Sequence, residues 1–332
     1  MKTVMMPNNS DVMAIECEPQ KQIAHRAVRA TYIGADFVLT MLGNILTIAV
    51  IRKVEEFSDG TKMLFTSLAL ADLGVAFVAA TSLVAEISGR WIFPAWMCEV
   101  SFGTFYIFTA VSVCMLIFLT FDRLVAVLRP LRYSLILTKG RSLFATAFIW
   151  FACAVGAIIT LATNQIIYNK CSAMCVTRLR SIPQSIVALV TFYIIPLTLI
   201  LLMNLKLLSV ARQHARRSRN QVAPPPPPSS CDLDQVYMQP PPRSALRGKA
   251  VGVITLVTFA FIVSWSLFYV KLVLGAVSDE DTTLPEWIEF TSIWLALTNS
   301  WWNFIIYSDK SGHTPLDTLK NFHLHHTDAL HY

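Results

Sequence analysis

Seven long apolar stretches dominate the chain, at about Ala27–Ile51, Met63–Ile87, Trp96–Leu128, Leu143–Gln165, Ile182–Val210, Val251–Val277 and Trp287–Tyr307. Each reaches the roughly 20 residues that a helix needs to cross the hydrocarbon of a bilayer. Backbone groups in lipid find no water, so each span must bond its N–H and C=O groups internally, which a helix does. The third stretch exceeds one bilayer thickness, so it is expected to tilt and to continue beyond the membrane. No internal repeat suggests the inverted halves of a transporter. The expectation is an all-α integral membrane protein, a bundle of seven transmembrane helices.

Composition agrees: of 332 residues, 55% are hydrophobic and 14% charged, and the mean hydropathy is +0.54. A soluble domain of this length needs more charge to solvate its surface. The net charge of +6 does not point to nucleic acid, because the basic residues flank the apolar spans. One set of loops carries Arg52, Lys53 and Lys62, then Arg129, Arg132, Lys139 and Arg141, then Arg212, Arg216, Arg217, Arg219, Arg243, Arg247 and Lys249. The alternate set is poorer, with Arg90, then Lys170, Arg178 and Arg180, and is acidic at Asp279, Glu280, Asp281 and Glu286. The positive-inside bias places the first set in the cytoplasm. Residues 1–26 then form an extracellular N-terminus, 27–308 the helical domain and 309–332 a short cytoplasmic tail. Met1–Gln20 has no apolar run of signal-peptide type, so the first span is expected to do the targeting. Asn8-Asn9-Ser10 is a glycosylation sequon at Asn8.

The cytoplasmic loop at about 213–244 contains Pro224–Pro228 and Pro240–Pro242. Such runs favour polyproline II and build no core, which suits a tether or a docking site for SH3 or WW modules. Of seven cysteines, Cys114 and Cys153 lie inside spans as packing residues and Cys231 is cytoplasmic. Cys98 opens the third span, and Cys171 and Cys175 share the next external loop. Outside the cell is oxidising, so a bridge from Cys98 to either one is expected, with Cys17 available for the other.

Polar residues inside spans are costly and mark function. Here they fall in a recognisable order: Gly43-Asn44; Leu68-Ala69-Leu70-Ala71-Asp72-Leu73; Phe121-Asp122-Arg123-Leu124 followed by Pro130-Leu131-Arg132-Tyr133; Trp150; Phe192-Tyr193-Ile194-Ile195-Pro196; Phe261-Ile262-Val263-Ser264-Trp265; Asn299-Ser300 and Asn303-Phe304-Ile305-Ile306-Tyr307. Each resembles a landmark of the rhodopsin-family (class A) G protein-coupled receptors in the matching helix, and the resemblance spans nearly all of 27–308. Trp91-Ile92-Phe93-Pro94 before Cys98 fits as well. Three positions depart from the family pattern. Leu267 and Phe304 stand where prolines are usual, which weakens two kinks. Asn204 stands where a tyrosine is frequent in the fifth helix.

The resemblance implies functions for these residues. Cys175, nearer the fifth helix, is the expected partner of Cys98. Ser112, Asn299, Ser300 and Asn303 are expected to converge on Asp72 and hold a sodium ion, since a hard cation prefers oxygen ligands. A hydrogen-bonded water network with protonated Asp72 is the alternative. Asp122, Arg123, Arg247 and Tyr307 form the group facing the G protein. Arg247 stands where many receptors carry an acid that latches Arg123, so that latch is missing and appreciable signalling without ligand is expected.

The outer pocket is expected to be lined by Phe102, Phe105, Tyr106, Thr109, Phe192, Trp265, Phe268, Tyr269, Ile293 and Trp294, rings that otherwise simply fill the bundle. Phe105 stands where aminergic receptors carry an aspartate, and Leu297 where opsins carry the retinal lysine. A conventional biogenic amine and retinal are thereby disfavoured, and a neutral or apolar ligand suits the wall. Asp36, Glu86, Glu99, Lys271 and Glu289 lie in the outer parts of their spans, available to orient a polar group. No Ser/His/Asp set, phosphate loop or zinc spacing appears, so no enzyme is expected. The expected function is a plasma-membrane receptor coupling an unidentified extracellular ligand to heterotrimeric G proteins. The alternatives are a non-signalling scaffold or decoy, and a transporter or channel.

Overall fold

The computed structural model describes residues 3–6, 9–15, 22–53, 57–177, 182–221, 256, 259–274 and 285–302. Helices α1 (Gln22–Lys53), α2 (Asp59–Ser88), α3 (Ala95–Leu128) and α5 (Lys139–Thr163) supply the first four spans, with a short α4 (Tyr133–Ile136) between the third and fourth. The fifth span is α6 (Ile182–Leu189), a π-helical turn at Val190–Ile194, and α7 (Ile195–Gln221). Five stretches, His25–Arg52, Asp59–Ser88, Ala95–Leu128, Lys139–Thr163 and Ile182–Val210, are long and apolar enough to cross a membrane. The sixth and seventh spans are described in part, as α8 (Phe259–Leu274) and α9 (Glu286–Leu297). Together they make a seven-helix membrane bundle.

Local chemistry sets the boundaries. Ser58 caps α2, its hydroxyl accepting from Thr61 N at 3.2 Å, and Gly89 ends the helix in the left-handed region at φ 67°. Thr138 caps α5 in the same way, accepting from Arg141 N. The π turn precedes Pro196, which lacks an N–H and would press on the carbonyl four residues back; widening the helix there relieves both. At Leu267 α8 runs on without interruption. The fourth span ends at Thr163, two residues short of the expected Gln165, because the chain turns there into a strand.

Burial is inverted relative to a soluble protein. Leu143, Phe144, Phe148, Phe151 and Ile158 of α5 are exposed, whereas Asn44, Asp72, Ser112, Asn299 and Ser300 are buried. Apolar groups face outward where the solvent is lipid, and the polar groups turn inward.

A small four-stranded sheet, absent from the all-helical expectation, covers the end of the bundle where α3 begins. Strands β1 (Thr3–Met6), β2 (Asn9–Ile15), β3 (Ile166–Asn169) and β4 (Met174–Thr177) lie in that order. The outer pairs are antiparallel, while β2 and β3 run parallel with Ala14 opposite Tyr168.

Candidate functional site

Three polar groupings lie along the bundle. The first is at the sheet end. Cys98 and Cys175 form a disulfide with Cα atoms 5.5 Å apart, tying β4 to the first turn of α3. Cys171 is also disulfide-bonded, to a partner outside the described residues, where Cys17 and Cys231 both fall. Between β3 and β4 the chain turns through Asn169–Met174, with Ala173 at φ 56°. The turn is buried rather than draped over the surface: Ser172, Ala173 and Met174 are fully enclosed.

Its polar groups are met one by one. The Asn169 side-chain oxygen accepts from Cys171 N at 2.9 Å, and its Nδ2 donates to Glu289 Oε2 at 3.2 Å. Lys271 Nζ meets the same Glu289 oxygen at 2.6 Å. Trp294 Nε1 donates to Ser172 O at 2.8 Å, and Arg29 donates to Lys170 O at 2.8 Å. Arg29 also pairs with Glu86 at 2.9 Å and with Glu286, its guanidinium 4.7 Å from the centre of the Phe290 ring. Of the five charged residues expected to orient a ligand, Lys271 and Glu289 are therefore engaged with each other, Glu289 also with the turn, and Glu86 with Arg29. Asp36 is buried and accepts from Trp301 Nε1 at 2.9 Å, whereas Glu99 is exposed.

The expected lining divides in two. Phe102, Phe105, Ile293 and Trp294 pack around the turn and the disulfide. Tyr106 and Phe192 form an aromatic pair beside it, and Trp265, Phe268 and Tyr269 form a second group with Tyr193. Tyr106 meets Phe192 edge-on at 5.4 Å, Trp265 meets Phe268 edge-on at 5.7 Å, and Tyr193 stacks on Tyr269 at 4.8 Å. Tyr193 OH and Ser266 Oγ are 2.6 Å apart, joining the fifth and sixth spans. Thr109 is adjacent in α3, its hydroxyl without a hydrogen bond among the described residues.

The second grouping is mid-bundle. Asp72 is completely buried, and Ser112 Oγ donates to its Oδ1 at 2.9 Å. Asn44 Nδ2 donates to Ser300 O at 3.0 Å, and Trp150 Nε1 to Ser67 Oγ at 2.9 Å. Asn299 is buried, and its Oδ1 has no hydrogen-bond partner among the described residues. Buried side-chain oxygens on α2, α3 and the seventh span, one of them unsatisfied, suit a hard cation. Asn303 lies outside the described residues.

The third grouping closes the opposite end. Asp122 is buried and accepts from Arg123 Nε at 2.9 Å, from Arg123 NH2 at 2.6 Å and from Tyr133 OH at 2.7 Å. Thr61 Oγ1 lies 3.2 Å from both Asp122 oxygens and accepts from Arg123 NH2 at 2.9 Å. The Arg123 guanidinium sits 4.9 Å from the centre of the Phe57 ring. Burial pushes the Tyr133 hydroxyl above its ordinary pKa, which keeps it a donor. Thr61, Phe57 and Tyr133 had no assigned function in the sequence reading. A hydroxyl three residues past a helix cap and a tyrosine following Pro-Leu-Arg were the available signals. Arg247 and Tyr307 lie outside the described residues, as does Asn8.

Comparison with known proteins adds to this geometry. The family model described as 7 transmembrane receptor (rhodopsin family) matches residues 43–307. The octopamine receptor beta-1R of Drosophila melanogaster is 25% identical over 304 residues, covering 85% of this chain and 58% of that receptor. The histamine H2 receptor of Homo sapiens is 23% identical, covering 82% of this chain and 72% of its own length. Trace amine-associated receptor 13c of Danio rerio is 25% identical, covering 83% and 80%. The chain thus spans less than two thirds of the octopamine receptor and more of the other two.

Proposed function

Since the chain belongs to the rhodopsin family of seven-transmembrane receptors, we propose that it carries a signal across the plasma membrane to a heterotrimeric G protein, its N-terminus outside and its C-terminus in the cytoplasm. The observation that carries this reading is Arg123. A guanidinium at the bundle mouth, held by Asp122, Thr61 and the Phe57 ring, is a charge stored for a partner. A ligand at the sheet end biases the equilibrium between two helix packings, and the packing that frees Arg123 admits the G protein. The aromatic chain from Phe268 through Trp265 to Phe261 supplies the mechanical link.

Asp72, Ser112, Asn299, Ser300 and Asn303 are proposed to hold a sodium ion, which when bound supplies a positive charge that stabilises the resting packing. The ligand is proposed to be neutral or largely apolar. The names of the relatives describe receptors for amines, but Phe105 in α3 offers no carboxylate to an ammonium group. Glu86 and Glu289 are already paired with Arg29 and Lys271.

The test is nucleotide exchange on purified G proteins by the full chain in nanodiscs, run with a ligand library. A hit should raise exchange, and Arg123→Ala should abolish the rise. Octopamine and histamine should leave exchange at its basal rate, and stimulation by either would overturn the neutral-ligand reading. A folded chain that promotes exchange on no G-protein class would overturn the receptor reading in favour of a silent scaffold. Ion flux in liposomes would favour transport.

A further inference from the structure

Turns between short strands normally lie on the surface, because a buried turn strands its backbone polar groups away from water. The β3–β4 turn breaks this rule, and the bundle supplies what the rule demands. Ser172 O receives the Trp294 indole N–H, Lys170 O receives Arg29, and Asn169 Oδ1 takes the N–H groups of Cys171 and Ser172. The Asn169 amide reaches the Glu289 carboxylate, which Lys271 also holds. This is a seat built for a particular segment.

The apolar contacts agree. Ala173 and Met174 are wholly buried in one cluster with Ile33, Val75, Ile293 and Trp294, and Phe105 and Phe268 pack against it. Four of the residues expected to touch a ligand, Phe105, Phe268, Ile293 and Trp294, thus touch or surround the turn. Met174 fills this irregular space as an unbranched, polarisable side chain does. Ala173 holds a left-handed backbone that L-residues avoid, which persists where surroundings over-determine it.

We propose that the resident occupant of the outer pocket is the chain's own turn, Asn169–Met174, and that an external ligand acts by displacing it. The displacement half rests on the receptor reading; the occupancy half does not. The contacts define the competing ligand as a compact apolar molecule with an amide-like carbonyl for the Trp294 N–H, a chemistry shared by a peptide tip and a small amide. Displacement reaches the interior through Phe268, whose ring meets Trp265 edge-on.

The test introduces Ile293→Cys into the full chain and measures its modification by an externally added charged methanethiosulfonate, against the parent chain as baseline. With the turn intact, the thiol should be protected. Asn169→Ala should raise the rate about tenfold, the factor that a lost buried hydrogen bond confers, and Met174→Ala, which empties a buried site, should raise it by at least as much. Surface expression of each variant confirms folding. A thiol that reacts as fast with the turn intact, or a rate that neither turn variant changes, would overturn the occupancy. Basal G-protein exchange is read in parallel. A shift of about twofold or more in the turn variants, the scale of a modest change in a two-state balance, supports displacement as the signal. Unchanged exchange beside a released thiol overturns it. A chain silent in every variant and with every ligand sinks the receptor reading, while the protection data still decide what fills the pocket.

Discussion

At Gly74 the helix α2 approaches α3 so closely that an added Cβ would overlap the Phe108 ring. Gly74→Ala should therefore lower stability by about 1–3 kcal/mol, the usual cost of overpacking, seen as a lower thermal midpoint in detergent. Asp72 sets a different prediction. Asp72→Asn keeps the shape and the Ser112 contact but removes the charge. Thermal stability of the parent should rise with sodium against a matched potassium control, and the variant should show no such difference; a parent indifferent to sodium would rule the ion out. Asp72 and Arg123 were legible in the sequence because an ionisable group in an apolar span has few reasons to be there. Thr61 and Phe57 were not, since a threonine near a helix cap and a phenylalanine in a loop are ordinary until Arg123 is placed between them.

Among the elements, the apolar spans were legible to within a few residues wherever they are described, because length and hydropathy are strong signals. The sheet was not. Strands of four and seven residues in an N-terminal segment, one pairing parallel with a loop after the fourth span, leave no periodic mark. The buried turn was equally silent, since Asn169-Lys170-Cys171-Ser172 reads as a polar loop. The tether beneath it gives a direct test. Cys98→Ser should lower stability by about 2–4 kcal/mol, measured by thermal unfolding without reductant. Reductant, which also opens the bridge at Cys171, should lower the parent further than Cys98→Ser alone; a Cys98→Ser chain as stable as the parent would show that the Cys98–Cys175 bridge adds no stability.

For the molecule as a whole, the proposed receptor reading makes output depend on the balance between resting and active packings. Two features oppose each other. Arg247 lies outside the described residues; on the proposed reading it stands where many family members carry the latching acid, and its charge is expected to favour basal signalling. The Asp122–Thr61–Tyr133 hub holds Arg123 by another route, which opposes it. Arg247→Glu would add a partly exposed pair contributing about 0.5–1 kcal/mol, enough for a few-fold change in active fraction. Basal exchange at matched surface expression should fall accordingly. A wild type already as quiet as empty membranes would mean that the missing prolines at Leu267 and Phe304 outweigh the missing latch, and would favour the silent scaffold.

The covalent anchor at Cys175 has a kinetic meaning that its contacts do not convey. A segment fixed beside its seat returns to it as though dissolved at roughly millimolar concentration, without ever diffusing away. Any soluble competitor meets a pocket that is vacant only a fraction of the time, and its measured affinity is weakened by that fraction; a seat open about 1% of the time turns a nanomolar binder into one that reads near 100 nM. Weak hits in a screen should accordingly be ranked on the Met174→Ala chain, where the vacancy is larger and intrinsic affinity comes into view.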